Sequence, residues 1–107
     1  MKTLPAARLP ALLTESSTPV IIDFGADWCL PCRRLEPLLD AAAGRFEGRV
    51  TVRRIDTALS PDLIARFNIQ SIPTLVAFTG QTETARLTGL PRPDALTRFF
   101  EDALSAG

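Results

Sequence analysis

The spacing of apolar residues changes period several times along the chain, and each change marks an element. VIIDF, Val20 to Phe24, is a β-branched run that reads as a buried strand. Beyond the hexapeptide DWCLPC, Leu35, Leu38, Leu39, Ala42 and Phe46 recur at helical spacing, which predicts a helix from about Pro31 to Phe46 with one apolar stripe. Pro37 falls inside it and is expected to bend it. VTVRRID, Val50 to Asp56, alternates as a strand does. SPDLIARF, Ser60 to Phe67, opens like a helix, with Ser60 as N-cap and Pro61 at the first helical position. TLVAF and ETARLTG, with TGQ near the turn, read as a hairpin from Thr74 to Thr88, and PDALTRFFEDAL closes the chain as an amphipathic helix. A short helix is expected ahead of all this, from Pro10 to Glu15, with its proline in the first turn. The order is strand, helix, strand, helix, strand, strand, helix, with room for a short strand and helix at the start. That order suits an α/β fold, a central mixed β-sheet flanked by helices on both faces.

Composition narrows the function classes. The 107 residues contain no internal repeat or linker and read as a single domain, 1–107, long enough to bury a core without crosslinks. Twelve basic and twelve acidic side chains balance, and no long basic run stands out, so nothing draws the protein to nucleic acid. The opening MKTLPAARLPALL is broken by Pro5, Arg8 and Pro10 and makes a poor signal peptide. No stretch approaches the roughly 18 to 20 apolar residues that span a bilayer. The expectation is a soluble, cytoplasmic protein, monomeric and without a membrane partner. In that compartment structural disulfides are rare, so a cysteine pair points to redox chemistry or to metal binding.

Both cysteines, Cys29 and Cys32, lie three apart beside the one tryptophan, Trp28. Residues i and i+3 on a helical turn have Cα atoms about 5 Å apart, inside the range that a disulfide tolerates. So short a loop removes little unfolded-state entropy, which makes a staple the weaker reading. A helix N-terminus instead favours a thiolate through its unpaired N–H groups and dipole. Cys29, ahead of the helix, is expected to be the exposed nucleophile, and Cys32, one turn in, the shielded resolving thiol. Cys29 attacks a substrate disulfide and Cys32 attacks the resulting mixed disulfide, releasing reduced substrate. Pro31 fixes φ in the first turn between them. Metal binding is the chemical rival, but the chain has no histidine and no third cysteine for a structural zinc site; a cluster shared between two copies is the remaining form. Arg33, not histidine, follows Cys32, so a c-type haem attachment fails.

Asp23 is the other anomaly, an acid inside an apolar strand. It either points to water at a strand end or is buried, and a buried carboxylate must be paired or have its pKa raised. In the second case it can accept the proton of Cys32 when that thiol resolves the mixed disulfide, directly or through water.

Together, VIIDF, DWCLPC, IPT at Ile72 to Thr74, and the glycine of LTGL, Gly89, resemble the thioredoxin family from about Val20 to Leu104. The resemblance implies that Trp28 flanks the active site, Cys29 is the nucleophile, Cys32 resolves, Asp23 is the buried acid and Pro73 is cis against the disulfide. It also implies that Trp28, Ile72, Pro73 and Gly89 border a groove where an extended substrate segment docks by backbone hydrogen bonds. A cis bond costs little only before proline, and Pro73 in that form leaves a carbonyl free for docking.

Some positions depart from the common pattern. Leu30 stands between the cysteines with Pro31, where glycine and proline are usual, and puts an apolar side chain on the docking surface. Gly25 replaces a frequent second tryptophan, and Arg54 a lysine that accompanies the buried acid; Ser71 and Leu90 alter the rim, and Arg33 and Arg34 form a solvated helix face. The expected activity is reduction of protein disulfides without a bound cofactor. Its partners are disulfide-containing proteins and, as electron donor, thioredoxin reductase or another thiol system. An oxidase or isomerase of higher potential and a partner-binding module with incidental cysteines are the alternatives.

Overall fold

The computed structural model describes residues 1–106. Five strands form one mixed sheet in the spatial order β1 (Lys2–Thr3), β3 (Thr51–Asp56), β2 (Val20–Gly25), β4 (Thr74–Thr79) and β5 (Thr82–Thr88). The first three run parallel; β4 is antiparallel to β2, and β5 to β4. Four α-helices complete the fold, α1 (Leu9–Glu15), α2 (Leu30–Arg45), α3 (Pro61–Arg66) and α4 (Pro93–Ser105), with single 3-10 turns at Ala6–Arg8 and Thr57–Leu59.

Every residue of β2 is buried, because helices cover both sides of the sheet and leave no face for water. Strand alternation deals its side chains to two cores. Ile21 packs with Leu35, Leu39 and Ala42 of α2 and with Leu96, Phe99 and Phe100 of α4. Val20, Ile22 and Phe24 point the other way, towards Leu9 and Leu13 of α1 and Leu63 of α3. Each such fully buried side chain contributes roughly 1.5 to 3 kcal/mol relative to exposure. The same parity places Asp23 and Gly25 on the side of Ile21, beneath the N-terminal end of α2.

The predicted elements are all present, with ends moved by a residue or so. The helix expected from Pro10 begins at Leu9, the one expected from Pro31 begins at Leu30 and ends at Arg45, and the strand expected from Val50 begins at Thr51. Helix α2 runs unbroken through Pro37. Ser60 is a correction: it stands at the N-cap position of α3, but its hydroxyl donates back to the Asp56 carbonyl at 2.8 Å and caps nothing. The 3-10 turn just before it directs the side chain backwards, and only the Ser60 carbonyl joins the helix, accepting the N–H of Leu63 and Ile64. The carboxylate of Asp56 does cap that 3-10 turn, accepting from the Ala58 N–H at 2.9 Å.

Candidate active site

Cys29 is the N-cap of α2, with extended backbone (φ −87°, ψ 113°), and its Sγ accepts the Cys32 N–H at 3.3 Å. A sulfur thus takes the place that an oxygen usually fills at a helix start, facing the positive end of the dipole. Pro31 in the first turn loses no hydrogen bond there. The two cysteines are joined as a disulfide with Cα atoms 5.2 Å apart. Cys29 is the less buried of the two, at 6% exposure against 2% for Cys32, but it is not the open thiol that its position ahead of the helix predicts. Ala26 and Ile72 pack against the pair.

The loop before β4 supplies the other wall. The Ile72–Pro73 peptide is cis, and the Ile72 carbonyl oxygen lies 3.9 Å from Cys29 Sγ. The free carbonyl expected at this turn is that of Ile72, which receives no backbone N–H among the described residues. Pro73's own carbonyl is occupied by the Gly89 N–H at 2.8 Å. Gly89 has φ +86°, a left-handed conformation that favours glycine, so it is both the turn residue and a strut of the loop. Around this centre the surface is apolar and open: Trp28 is 75% exposed, Leu30 53% and Leu90 44%. Ser71 is exposed at the rim, its carbonyl accepting the Thr74 hydroxyl at 2.7 Å. Arg33 and Arg34 are exposed on α2.

Asp23 is 1% exposed, which removes the reading of a strand end pointing to water. Its Oδ1 has no hydrogen-bond partner. Burial raises its pKa from an ordinary 3.8 to about 7; Arg54 pulls it down and Glu36 pushes it up, both by less. Arg54 is the direct cross-strand neighbour of Asp23. Its guanidinium nevertheless turns to other acids, donating to Glu36 Oε1 at 2.6 Å and to Asp27 Oδ1 at 2.9 Å. The forked donor group spans two carboxylates at once, and its charge reaches Asp23 only through space.

Gly25 completes the floor. A Cβ built on it would lie 3.3 Å from Cys32 Sγ and 3.6 Å from Asp23 Oδ1. Its carbonyl accepts the buried Thr57 hydroxyl at 3.2 Å. Glu36, Asp27, Ala26 and Thr57 are site residues that sequence reasoning missed. Glu36 had a signal, since it is four residues beyond Cys32 and shares its helix face. Ala26, Asp27 and Thr57 carry none.

Among the described residues, the larger hollows lie away from this chemistry. Hollows of about 540 Å³ between Pro5 and Leu63 and about 420 Å³ around Asp40 and Arg53 open elsewhere and include neither cysteine. The disulfide instead sits just under an apolar surface, an arrangement suited to another polypeptide more than to a small molecule.

The family model described as Thioredoxin matches residues 2–102. The chain belongs to the thioredoxin family. Thioredoxin 1 of Chlorobaculum tepidum is 43% identical over 75 residues, which cover 70% of this chain and 74% of that protein. The bifunctional thioredoxin reductase/thioredoxin of Mycobacterium leprae is 34% identical over 90 residues, 84% of this chain and 20% of that protein. Chloroplastic thioredoxin z has the same fold, with a TM-score of 0.87 at 29% identity, covering 100% of this chain and 96% of that one. The mixed sheet and its helices are thus a thioredoxin fold, and the Cys29–Cys32 pair is the dithiol of a thiol–disulfide oxidoreductase.

Proposed function

We propose that this chain is a protein-disulfide reductase in which Cys29 attacks and Cys32 resolves. The observation that carries the reading is the cysteine pair at the N-terminus of α2, facing the Ile72–Pro73 loop of a thioredoxin-family sheet. The Cys29 thiolate displaces one sulfur of a substrate disulfide and forms a mixed disulfide with the other. Cys32 then attacks Cys29 Sγ; the intramolecular disulfide forms, the mixed bond breaks, and both electrons of the dithiol have passed to the substrate as two thiols. Asp23 takes the Cys32 proton, and a carboxyl with pKa about 7 is matched to that task near neutral pH. Trp28, Leu30, Pro31, Ile72 and Gly89 border the docking surface, where the free Ile72 carbonyl is available to a substrate N–H.

Disulfide-containing proteins are the substrates. The fusion of reductase and thioredoxin in the Mycobacterium leprae relative supports a thioredoxin reductase as electron donor. The exposed Leu30 changes the surface that such a donor meets, so reduction by a standard thioredoxin reductase is a direct check on it. The protein works as a monomer in a reducing compartment. The cytoplasm is our assignment from cysteine usage, and cell fractionation tests it against the chloroplastic setting of a relative.

The reduction potential of the pair, equilibrated in thiol buffers and read by alkylation mass shift, tests the direction of electron flow. A reductant gives about −270 to −230 mV. A value of roughly −180 to −120 mV assigns the pair to the isomerases and oxidants and overturns the reading.

A further inference from the structure

Helical spacing brings an apolar side chain and two cations together beside the disulfide. Leu30, in the first turn of α2, is 53% exposed. Arg33 and Arg34 follow it by three and four residues, the two spacings that make side chains neighbours on a helix surface, with Cβ atoms about 5 to 6 Å apart. Both arginines are exposed, on the side of α2 turned away from its buried Leu35, Leu39 and Ala42. Among the described residues, no carboxylate lies within ion-pair distance of either one. The other charges bordering this surface are paired. Arg54 holds Asp27 at 2.9 Å and Glu36 at 2.6 Å, and Arg92, two residues beyond Leu90, lies 3.6 Å from Asp94. The whole chain balances twelve basic side chains against twelve acidic ones, so the positive charge left beside Leu30 is a local excess and not an overall one.

We propose that Arg33 and Arg34, beside Leu30, make this reductase select disulfides carried in acidic segments of its protein substrates. The inference rests on the reading of this surface as the docking site of a protein-disulfide reductase. Trp28 and Leu30 supply its exposed apolar area on the α2 side, so a substrate chain that covers Leu30 brings its neighbouring side chains to the two guanidiniums. Carboxylates there meet cations that have no partner within the protein, whereas lysines or arginines meet like charge. Rim charges of this kind act on encounter and orientation, and so on the rate at which Cys29 reaches its target. The sulfur chemistry is unchanged.

Single-turnover reduction of synthetic disulfide peptides by the fully reduced chain, quenched in acid and alkylated, reads this selection. Three peptides share one frame and differ only in the residues flanking the disulfide, which are glutamate, glutamine or lysine. Their rates with dithiothreitol, a small neutral dithiol, correct for the intrinsic reactivity of each disulfide. The wild type is expected to reduce the acidic peptide about five- to tenfold faster than the neutral one, the scale of two exposed ion pairs, and the lysine peptide more slowly than either. The preference should fall towards one as salt rises to about 1 M, where charges are screened beyond roughly 3 Å.

The double variant Arg33→Gln/Arg34→Gln should bring the acidic-to-neutral ratio to about twofold or less, and Arg33→Glu/Arg34→Glu should favour the lysine peptide. Each variant is also measured on the neutral peptide, so a change in the reactivity of Cys29 cancels from the ratio. Arg49→Gln makes the same kind of charge change beyond the far end of α2, a sixteen-residue helix about 24 Å long, and should keep the wild-type ratio. Equal corrected rates on the acidic and neutral peptides, a preference that salt leaves unchanged, or one that survives in Arg33→Gln/Arg34→Gln would each overturn the inference. So would an equal loss in Arg49→Gln. Reduction of all three peptides without preference defeats the charge recognition and leaves the reductase intact, whereas failure to reduce any of them defeats the reductase reading and this inference with it. The peptide and salt series use the wild-type chain, so they decide the matter even where a variant does not fold.

Discussion

The two faces of β2 have different duties although they alternate along one strand. Val20, Ile22 and Phe24 enter a core with α1 and α3 that holds Val76 and Phe78 of β4 and, at its edge, the buried Thr74. Ile21, Asp23 and Gly25 face α2 and α4, where the core is apolar around Ile21 but ends in an unpaired acid, a bare glycine and a disulfide. One face supplies stability without chemistry. The other gives up some stability at its active-site end, where a buried carboxyl without a partner sits beside a sulfur pair. Function and fold are thus separated by side-chain parity, one residue apart on the same backbone.

The sharpest way to break that contrast is to remove its chemical end. Cys29→Ser should abolish turnover of a protein disulfide, a loss of at least about a thousandfold for removal of the nucleophile, while its denaturation curve matches that of the reduced wild type. Cys32→Ser should trap substrates on Cys29 as mixed disulfides, visible on non-reducing gels. Failure to trap any protein from an extract counts against the mechanism. On the opposite face, Phe24→Ala removes a fully buried ring and should cost about 3 to 5 kcal/mol in urea denaturation. The reduction potential of the surviving folded fraction should stay where it was. A shifted potential means that the two faces are coupled.

Asp23→Asn sharpens the comparison through pH. The folded protein holds the Asp23 proton up to about pH 7, whereas the unfolded chain releases it near 3.8. Between those values the folded state binds more protons, so wild-type stability falls as pH rises and the full penalty is present above about pH 7. The variant should therefore be more stable than wild type at pH 8, by at most about 4 kcal/mol. Little of that difference should survive near pH 3. Denaturation of the two oxidised proteins at both pH values measures it, and equal curves at pH 8 mean that Asp23 is not held unpaired.

The smallest effects concern the charges around that acid. Glu36→Gln should lower the Asp23 titration, by removing a negative neighbour and releasing Arg54 from one of its acids. Arg54→Gln should raise it. Carboxyl carbon shifts in NMR titrations read both directions, and movement of the same sign in the two variants would contradict the assigned charges.

Much of this was legible in the chain. The element order followed from period alone, because a strand covered on both faces reads as VIIDF and a helix with one buried stripe repeats Leu35, Leu39, Ala42 and Phe46. Residue chemistry and close spacing marked Cys29 and Cys32, since both ends of that contact lie within one helical turn. The motif IPT and Gly89 stood out only through family resemblance; the contact between Gly89 and Pro73 joins positions 16 apart. Ser60 misled, because a hydroxyl at an N-cap has a second acceptor behind it whenever the preceding turn curls back.

The sequence by itself determined which residues could do the chemistry and which faces had to be buried, since these depend on side-chain type and local period. Tertiary structure alone decided what the acid meets. The burial of Asp23, the turn of Arg54 towards Glu36 and Asp27, the packing of Ala26 and Ile72 against the sulfurs, and the approach of Gly25 to Cys32 all depend on how α2 and the Ile72 loop settle on the sheet. Contacts between elements distant in sequence, and the desolvation they impose, leave no periodic trace in the chain.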